Sequence, residues 1–101
     1  MLVRKNLERR DQIEGKENKY IYRLVEQDYK NDKAYGIEVE RQDYKKDDLV
    51  NIERDSILKI SNKLEKVEVL FEKLYNGKVS PIHLVDILGE YVDEYVSDFE
   101  A

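Results

Sequence analysis

Cysteine and tryptophan are absent from this chain of 101 residues, and proline and histidine occur once each. Without cysteine, disulfide bonds, thiolate metal sites and cysteine catalysis are excluded, and a reducing cytoplasm is the simplest location. A single histidine leaves little material for acid–base or metal chemistry. No apolar run reaches the length of a signal peptide or of a membrane-spanning helix. We therefore expect a cytoplasmic protein with no cofactor, no metal ion and no membrane contact.

Charge is abundant but unevenly distributed along the chain. Charged and apolar residues each make up 41% of the sequence, which indicates a folded domain with a heavily solvated surface. Residues 1–78 contain all 18 lysines and arginines against 17 acids, whereas residues 79–101 contain six acids and no base. The net charge of −5 therefore arises in the last segment of the chain. The length predicts a single domain over residues 1–101.

Alternation of apolar and polar residues predicts an antiparallel sheet in the first half of the chain. Residues 20–29 and 34–44 have the pattern of a β-hairpin, with a turn at residues 30–33. Weaker alternation places a first strand at 2–11 and a fourth at 49–54. We predict a meander of three or four strands within about residues 1–55.

A helical hairpin is predicted over about residues 61–99. Its first helix follows Ser61 and Asn62, where Asn62 and Glu65 can form a capping box or Ser61 can cap instead. The dipeptide Asn76-Gly77 is expected to end that helix with a left-handed turn, and Ser80 followed by Pro81 starts helix two, which runs from Pro81 to about Phe99. The predicted fold is α+β, with the helical hairpin packed on one face of the meander.

Helix two has two adjacent apolar stripes. The first contains Leu84, Leu88, Tyr91, Tyr95 and Phe99. The second contains Ile82, Val85, Gly89, Val92 and Val96. Because this arc is wider than one contact surface needs, we expect one stripe on the sheet and the other on helix one or on a second protomer. Gly89 would let another backbone approach closely, and a homodimer is expected.

An acidic face covers the polar side of helix two. It is formed by Asp86, Glu90, Asp93, Glu94 and Asp98. The last three lie near the C-terminus of the helix, where the dipole disfavours negative charge. Local helix stability does not require them, so a binding surface for a cationic protein partner is one interpretation and a solvated face the other.

Other candidate sites favour structural interpretations. His83 has Asp86 and Glu90 on its side of the helix, but their spacing suits a shared metal poorly, so a role as a first-turn packing residue is favoured. Five tyrosines of the sheet segments alternate with acids, which favours a core or interface role over base stacking: Tyr20, Tyr22, Tyr29, Tyr35 and Tyr44. The basic residues of the first strand indicate a solvated edge: Arg4, Lys5, Arg9 and Arg10.

Three segments together resemble a family of small bacterial proteins known only as a domain of unknown function. These are Ala34-Tyr35-Gly36-Ile37-Glu38, then Ile60-Ser61 with Glu65-Lys66-Val67-Glu68 and Leu70, then Val79-Ser80-Pro81-Ile82-His83-Leu84 with Asp86-Ile87. The resemblance spans about residues 19–99 and implies a bacterial, intracellular and uncharacterised protein. It implies no catalytic residues.

Two functional hypotheses follow. The first is a small non-enzymatic interaction or regulatory protein that acts through the apolar surface and the acidic face of helix two. The second is an acidic decoy, encoded by a mobile element or phage, that mimics nucleic acid and occupies a nucleic-acid-binding enzyme. We expect neither nucleic-acid binding by the chain itself nor enzymatic activity, because no face collects enough basic residues and no catalytic motif is present.

Overall fold

The computed structural model describes residues 1–99 and contains one four-stranded antiparallel sheet followed by two helices. The strands are β1 (Leu2–Ile13), β2 (Lys16–Tyr29), β3 (Asp32–Lys45) and β4 (Asp48–Ser61), and they lie side by side in chain order. The helices are α1 (Leu64–Asn76) and α2 (Leu84–Tyr95), and α2 is flanked by the 3₁₀ helices Pro81–His83 and Val96–Phe99. The α+β prediction, a meander followed by two helices, is confirmed.

Two-residue turns connect all four strands. Both residues of each turn have positive φ: Glu14 and Gly15, Lys30 and Asn31, and Lys46 and Asp47. Such turns match the right-handed twist of paired strands, so they fix the register of long hairpins. The two outer strands exist as predicted, but β1 continues to residue 13 and β4 continues to residue 61.

An irregularity in β4 lies opposite Gly36. Tyr35 pairs with Ser61 and Ile37 pairs with Ile57. Between these two pairs the chain advances by two residues in β3 and by four in β4, so β4 contains two extra residues. The main chain of Ile57 and Leu58 occupies the space that a Cβ on residue 36 would take. Only glycine fits there, because backbone atoms cannot move aside as a flexible side chain can.

The core lies between one face of the sheet and the two helices. Its sheet side is formed by Tyr20, Tyr22, Leu24, Ile37, Val39 and Ile60. Its helix side is formed by Val67, Leu70, Phe71, Leu74, Leu84 and Leu88. The core role expected for the tyrosines is confirmed for Tyr20 and Tyr22. A helix of 13 residues spans only about 20 Å, whereas the molecule is 51 Å long, so the helices leave much of the sheet uncovered.

The predicted caps of α1 are wrong in detail. Asn62 forms no capping box, because its Nδ2 donates to the carbonyl oxygen of Asp98 at 2.8 Å. Ser61 Oγ accepts a hydrogen bond from the amide of Lys63, the residue before the helix, at 3.0 Å. At the other end the left-handed residue is Lys78, with φ of 54°, whereas Gly77 is right-handed with φ of −82°.

Helix two is three segments rather than one continuous helix from residue 81 to residue 99. Pro81 holds the first helical position as predicted, but the Ser80 hydroxyl makes no capping hydrogen bond. Instead the Ser80 carbonyl oxygen accepts from the amide of His83 at 3.0 Å, which closes a tight 3₁₀ turn. At the C-terminal end, a hydrogen bond of 2.6 Å between Ser61 Oγ and Asp98 Oδ2 joins the last 3₁₀ turn to β4.

Candidate functional site

The first apolar stripe of α2 faces both the core and α1, whereas the prediction assigned these two contacts to different stripes. Tyr91 and Tyr95 pack against the buried cluster, and lysines of α1 reach both of them. Lys73 Nζ donates to the Tyr91 hydroxyl at 2.9 Å, and Lys66 Nζ lies 4.6 Å from the centre of the Tyr95 ring. These contacts place α1 on the tyrosine side of α2.

The second stripe is largely bare. Val85 in α2 is 52% exposed, and Ile82 and Val96 in the flanking 3₁₀ helices are 71% and 53% exposed. Val92 is half-buried against the core. Within residues 1–99, no atom other than those of the helix's own nearby backbone lies within 4 Å of the position that a Cβ on Gly89 would take. The expected packing of this stripe on helix one is therefore wrong, because α1 lies on the other side of α2. The alternative contact with a second protomer stays a prediction.

Four of the five predicted acidic residues form an open surface on α2. Asp86, Glu90, Asp93 and Glu94 are all exposed. Within residues 1–99 no hydrogen bond or ion pair joins these four side chains to another residue. These four residues give α2 a strongly negative outer surface.

Asp98 has a structural role instead. Its carboxylate accepts hydrogen bonds from Ser61 Oγ at 2.6 Å and from Lys66 Nζ at 3.0 Å. The Ser61 hydrogen bond, and then the Lys66 ammonium, hold the pKa of Asp98 below its ordinary value. The side chain therefore ties the end of the last helix to β4 and α1, and it is removed from the predicted docking surface.

The basic residues of β1 do not form a free cationic patch, because each has an acidic partner. The pairs are Arg4–Glu26 at 2.9 Å, Lys5–Glu68 at 2.7 Å, Arg9–Asp11 at 2.6 Å and Arg10–Glu17 at 3.3 Å. Pairing neutralises this edge, which agrees with a solvated strand edge rather than a phosphate-binding surface.

A charged network crosses the face of the sheet opposite the helices. Glu40 is only 3% exposed and pairs with Arg54 at 2.8 Å and Arg23 at 3.4 Å, while Gln42 Nε2 donates to it at 2.6 Å. Burial by itself raises the pKa of Glu40, but the Gln42 hydrogen bond and the two guanidinium charges outweigh it and hold the pKa below its ordinary value. Every member has a partner, so the network stabilises the sheet and leaves no group poised to react.

Little else in the described residues offers chemistry. His83 is exposed, and residues 1–99 contain no group of three or more His, Cys, Asp or Glu side chains placed to hold a metal ion. An open depression of about 400 Å³ between β1 and α1 is lined by Lys5, Leu7 and Phe71 among others. Its lysine is already ion-paired with Glu68.

A model of a family of unknown function, DUF6514, matches residues 1–94. The chain belongs to this family. The match spans the whole DUF6514 sheet, α1 and nearly all of α2, so the predicted resemblance to an uncharacterised domain is confirmed. No curated protein and no solved structure matches the chain.

One feature of the DUF6514 domain was missed by sequence reasoning, namely the free edge of β4 beneath α2. The alternation that reveals this strand stops at residue 54, whereas the strand continues to residue 61.

Of the described helices, none is long and apolar enough to cross a bilayer.

Proposed function

We propose that this domain is a non-enzymatic interaction module that binds a cationic protein partner through α2. The observation that supports it is the combination of four exposed, unpaired acids on α2 and a bare apolar stripe that runs along α2 and its two flanking 3₁₀ helices. Exposed apolar surface next to unpaired charge is typical of a docking surface, because neither contributes to the stability of the free domain.

An acidic decoy of nucleic acid is the weaker hypothesis. The four unpaired acids all lie on α2, which has 12 residues and spans only about 18 Å. The charges of β1 and of the opposite sheet face are paired within the domain, so they do not extend the negative surface. A decoy needs a longer row of phosphate-like charges than this helix supplies.

The homodimer expected from sequence remains a prediction, and the charge of α2 argues against it. Residues 79–101 contain no lysine or arginine, so two α2 surfaces facing each other would bring like charges together. A different protein that carries basic residues matches this surface better.

The test is affinity capture from the native organism's lysate with wild-type bait and two charge variants. One variant neutralises the α2 surface through Asp86→Asn, Asp93→Asn and Glu94→Gln. Three exposed pairs contribute about 0.6–3 kcal/mol, so affinity should fall by about threefold to 150-fold. The loss of affinity in this variant should arise mainly from a slower association rate, and the difference from wild type should become smaller as the salt concentration is raised.

The matched control changes the net charge equally at the other end of the sheet. It carries Glu14→Gln, Asp47→Asn and Asp48→Asn, three exposed residues at hairpin turns. The proposal expects wild type and control to capture the same partner and the α2 variant to lose it. Equal capture by all three baits would reject the α2 surface as the binding site, and capture of a nucleic-acid enzyme would revive the decoy hypothesis.

A further inference from the structure

The bare stripe of α2 overhangs the free edge of the sheet. β4 is the last strand in the sheet order, and α2 packs on β4. On a helix of 3.6 residues per turn, the centre of the second stripe lies about 120° from Tyr91 and Tyr95. Since those tyrosines face α1, the stripe points away from α1 and over the outer side of β4.

Both sides of this groove have unused binding capacity. Within residues 1–99, β4 pairs only with β3, so its outward main-chain N–H and C=O groups have no strand partner. On the helix side, Val85 and Val96 are exposed around Gly89, where space is open. A glycine inside a helix costs about 1 kcal/mol relative to alanine, and nothing in the free domain requires one at this position.

We propose that an extended segment of another protein adds to β4 as a fifth strand and lies beneath the bare stripe of α2. This inference rests on the proposed function and names the partner's form. Its main-chain groups would pair with the edge of β4, and its apolar side chains on alternate positions would contact Val85 and Val96. Lysine or arginine residues at other positions of the same alternate set would point to the same side and face Asp86 and Asp93, which border the stripe on one side.

The negative charge of α2 favours one kind of ligand for the groove between α2 and β4. A second copy would bring another acidic α2 to the same edge, because a two-fold axis at β4 sets the two helices beside each other. A helical ligand could use the apolar stripe but would leave the main-chain groups of β4 without partners. An extended cationic segment uses the stripe, the acids and the strand edge together.

The experiment uses a phage library of random 12-residue peptides selected on the wild-type chain. Selected peptides should carry apolar residues at alternate positions, with lysine or arginine at further positions of the same alternate set, so that both kinds of side chain point to α2. A synthetic copy of the most enriched peptide is then titrated into wild type, Val85→Lys and Val69→Lys. Val69 is an exposed valine of α1, at 65%, so the two variants make the same change on different helices.

Strand addition has a signature that other docking modes lack. Methylation of single peptide nitrogens should weaken binding at every second position, because alternate N–H groups point to β4 and away from it. Val85→Lys should weaken binding at least about tenfold, and Val69→Lys should leave it unchanged. Amides of β4 should exchange more slowly with solvent when the peptide is bound.

Several results would overturn the inference. These are failure to enrich any peptide, equal binding by both lysine variants, or a methylation profile without the two-residue period. A concentration-dependent dimer that Val85→Lys converts to a monomer would assign the groove to a second copy instead. If lysate capture still depends on the α2 acids while strand addition fails, the proposed function stands and only the partner's form is wrong.

Discussion

Two glycines of this domain should respond in opposite directions to the same substitution. Among residues 1–99, nothing outside the local backbone of α2 lies within 4 Å of a Cβ added at Gly89, whereas Gly36 lies against the main chain of β4. Gly89→Ala therefore adds helix propensity without a clash and should raise the free energy of unfolding by about 0.5–1 kcal/mol. For a domain of this size that corresponds to a rise in Tm of about 2–8 °C.

Gly36→Ala should be strongly destabilising. The new methyl group would meet the carbonyl oxygen of Ile57 and the main chain of Leu58, neither of which can rotate away. Overpacking of this kind costs about 1–3 kcal/mol or more, which exceeds the strand propensity gained by replacing glycine. Movement of β4 would also disturb its pairing with β3.

Urea denaturation of both variants, followed by circular dichroism, measures these changes. The midpoint should rise for Gly89→Ala and fall for Gly36→Ala, with the slope unchanged in both. A lower midpoint for Gly89→Ala would mean that another backbone packs there, and if the loss grew with protein concentration that backbone would belong to a second copy. An unchanged midpoint for Gly36→Ala would refute the register of β3 and β4.

Two further predictions concern the contacts that hold the helices on the sheet. Tyr22→Phe removes the hydrogen bond of 2.9 Å that the hydroxyl donates to the carbonyl oxygen of Val79 and the one of 3.3 Å that it accepts from Arg9 Nε. At about 0.5–1.5 kcal/mol for each bond, the unfolding free energy measured by urea denaturation should fall. Asp98→Asn should destabilise at pH 7, and the difference from wild type should shrink as pH falls below the ordinary carboxyl range. Ser61 and Lys66 lower the pKa of Asp98 in the folded state. The Asp98 carboxylate therefore stabilises the fold at pH values above its pKa in the unfolded chain, and this stabilisation is lost as the carboxylate is protonated. A pH-independent difference would contradict the ion pair.

The sequence pattern correctly predicted those elements that are determined by residues close together in the chain. The hairpin of β2 and β3 follows from alternation and turn composition, and Pro81 begins a helical turn as its fixed φ requires. The continuation of β4 past residue 54 was missed because residues 53–56 are four consecutive polar residues, and the irregularity opposite Gly36 then breaks the two-residue period between Ile57 and Ser61. No window of sequence contains that information, since it depends on how two strands meet.

Tertiary contacts explain the remaining differences. Asn62 has the composition of a cap, but the carbonyl oxygen of Asp98, 36 residues away, takes its side chain instead. Asp98 looked like one more member of an acidic face, yet Ser61 and Lys66 draw it inward. Helical phase groups the apolar residues of α2 into stripes, whereas the side on which α1 lies cannot be read from helical phase alone.

The most direct test of the central claim, that the outer side of α2 is where a partner binds, is site-specific photocrosslinking in cells that express the protein. A benzophenone amino acid replaces Val85 in one strain and Val69 in another, so that exposed valines of α2 and α1 are compared. We expect a covalent adduct with a protein of different mass from position 85 and none from position 69. Equal adducts from both positions, or an adduct from position 69 alone, would contradict this claim.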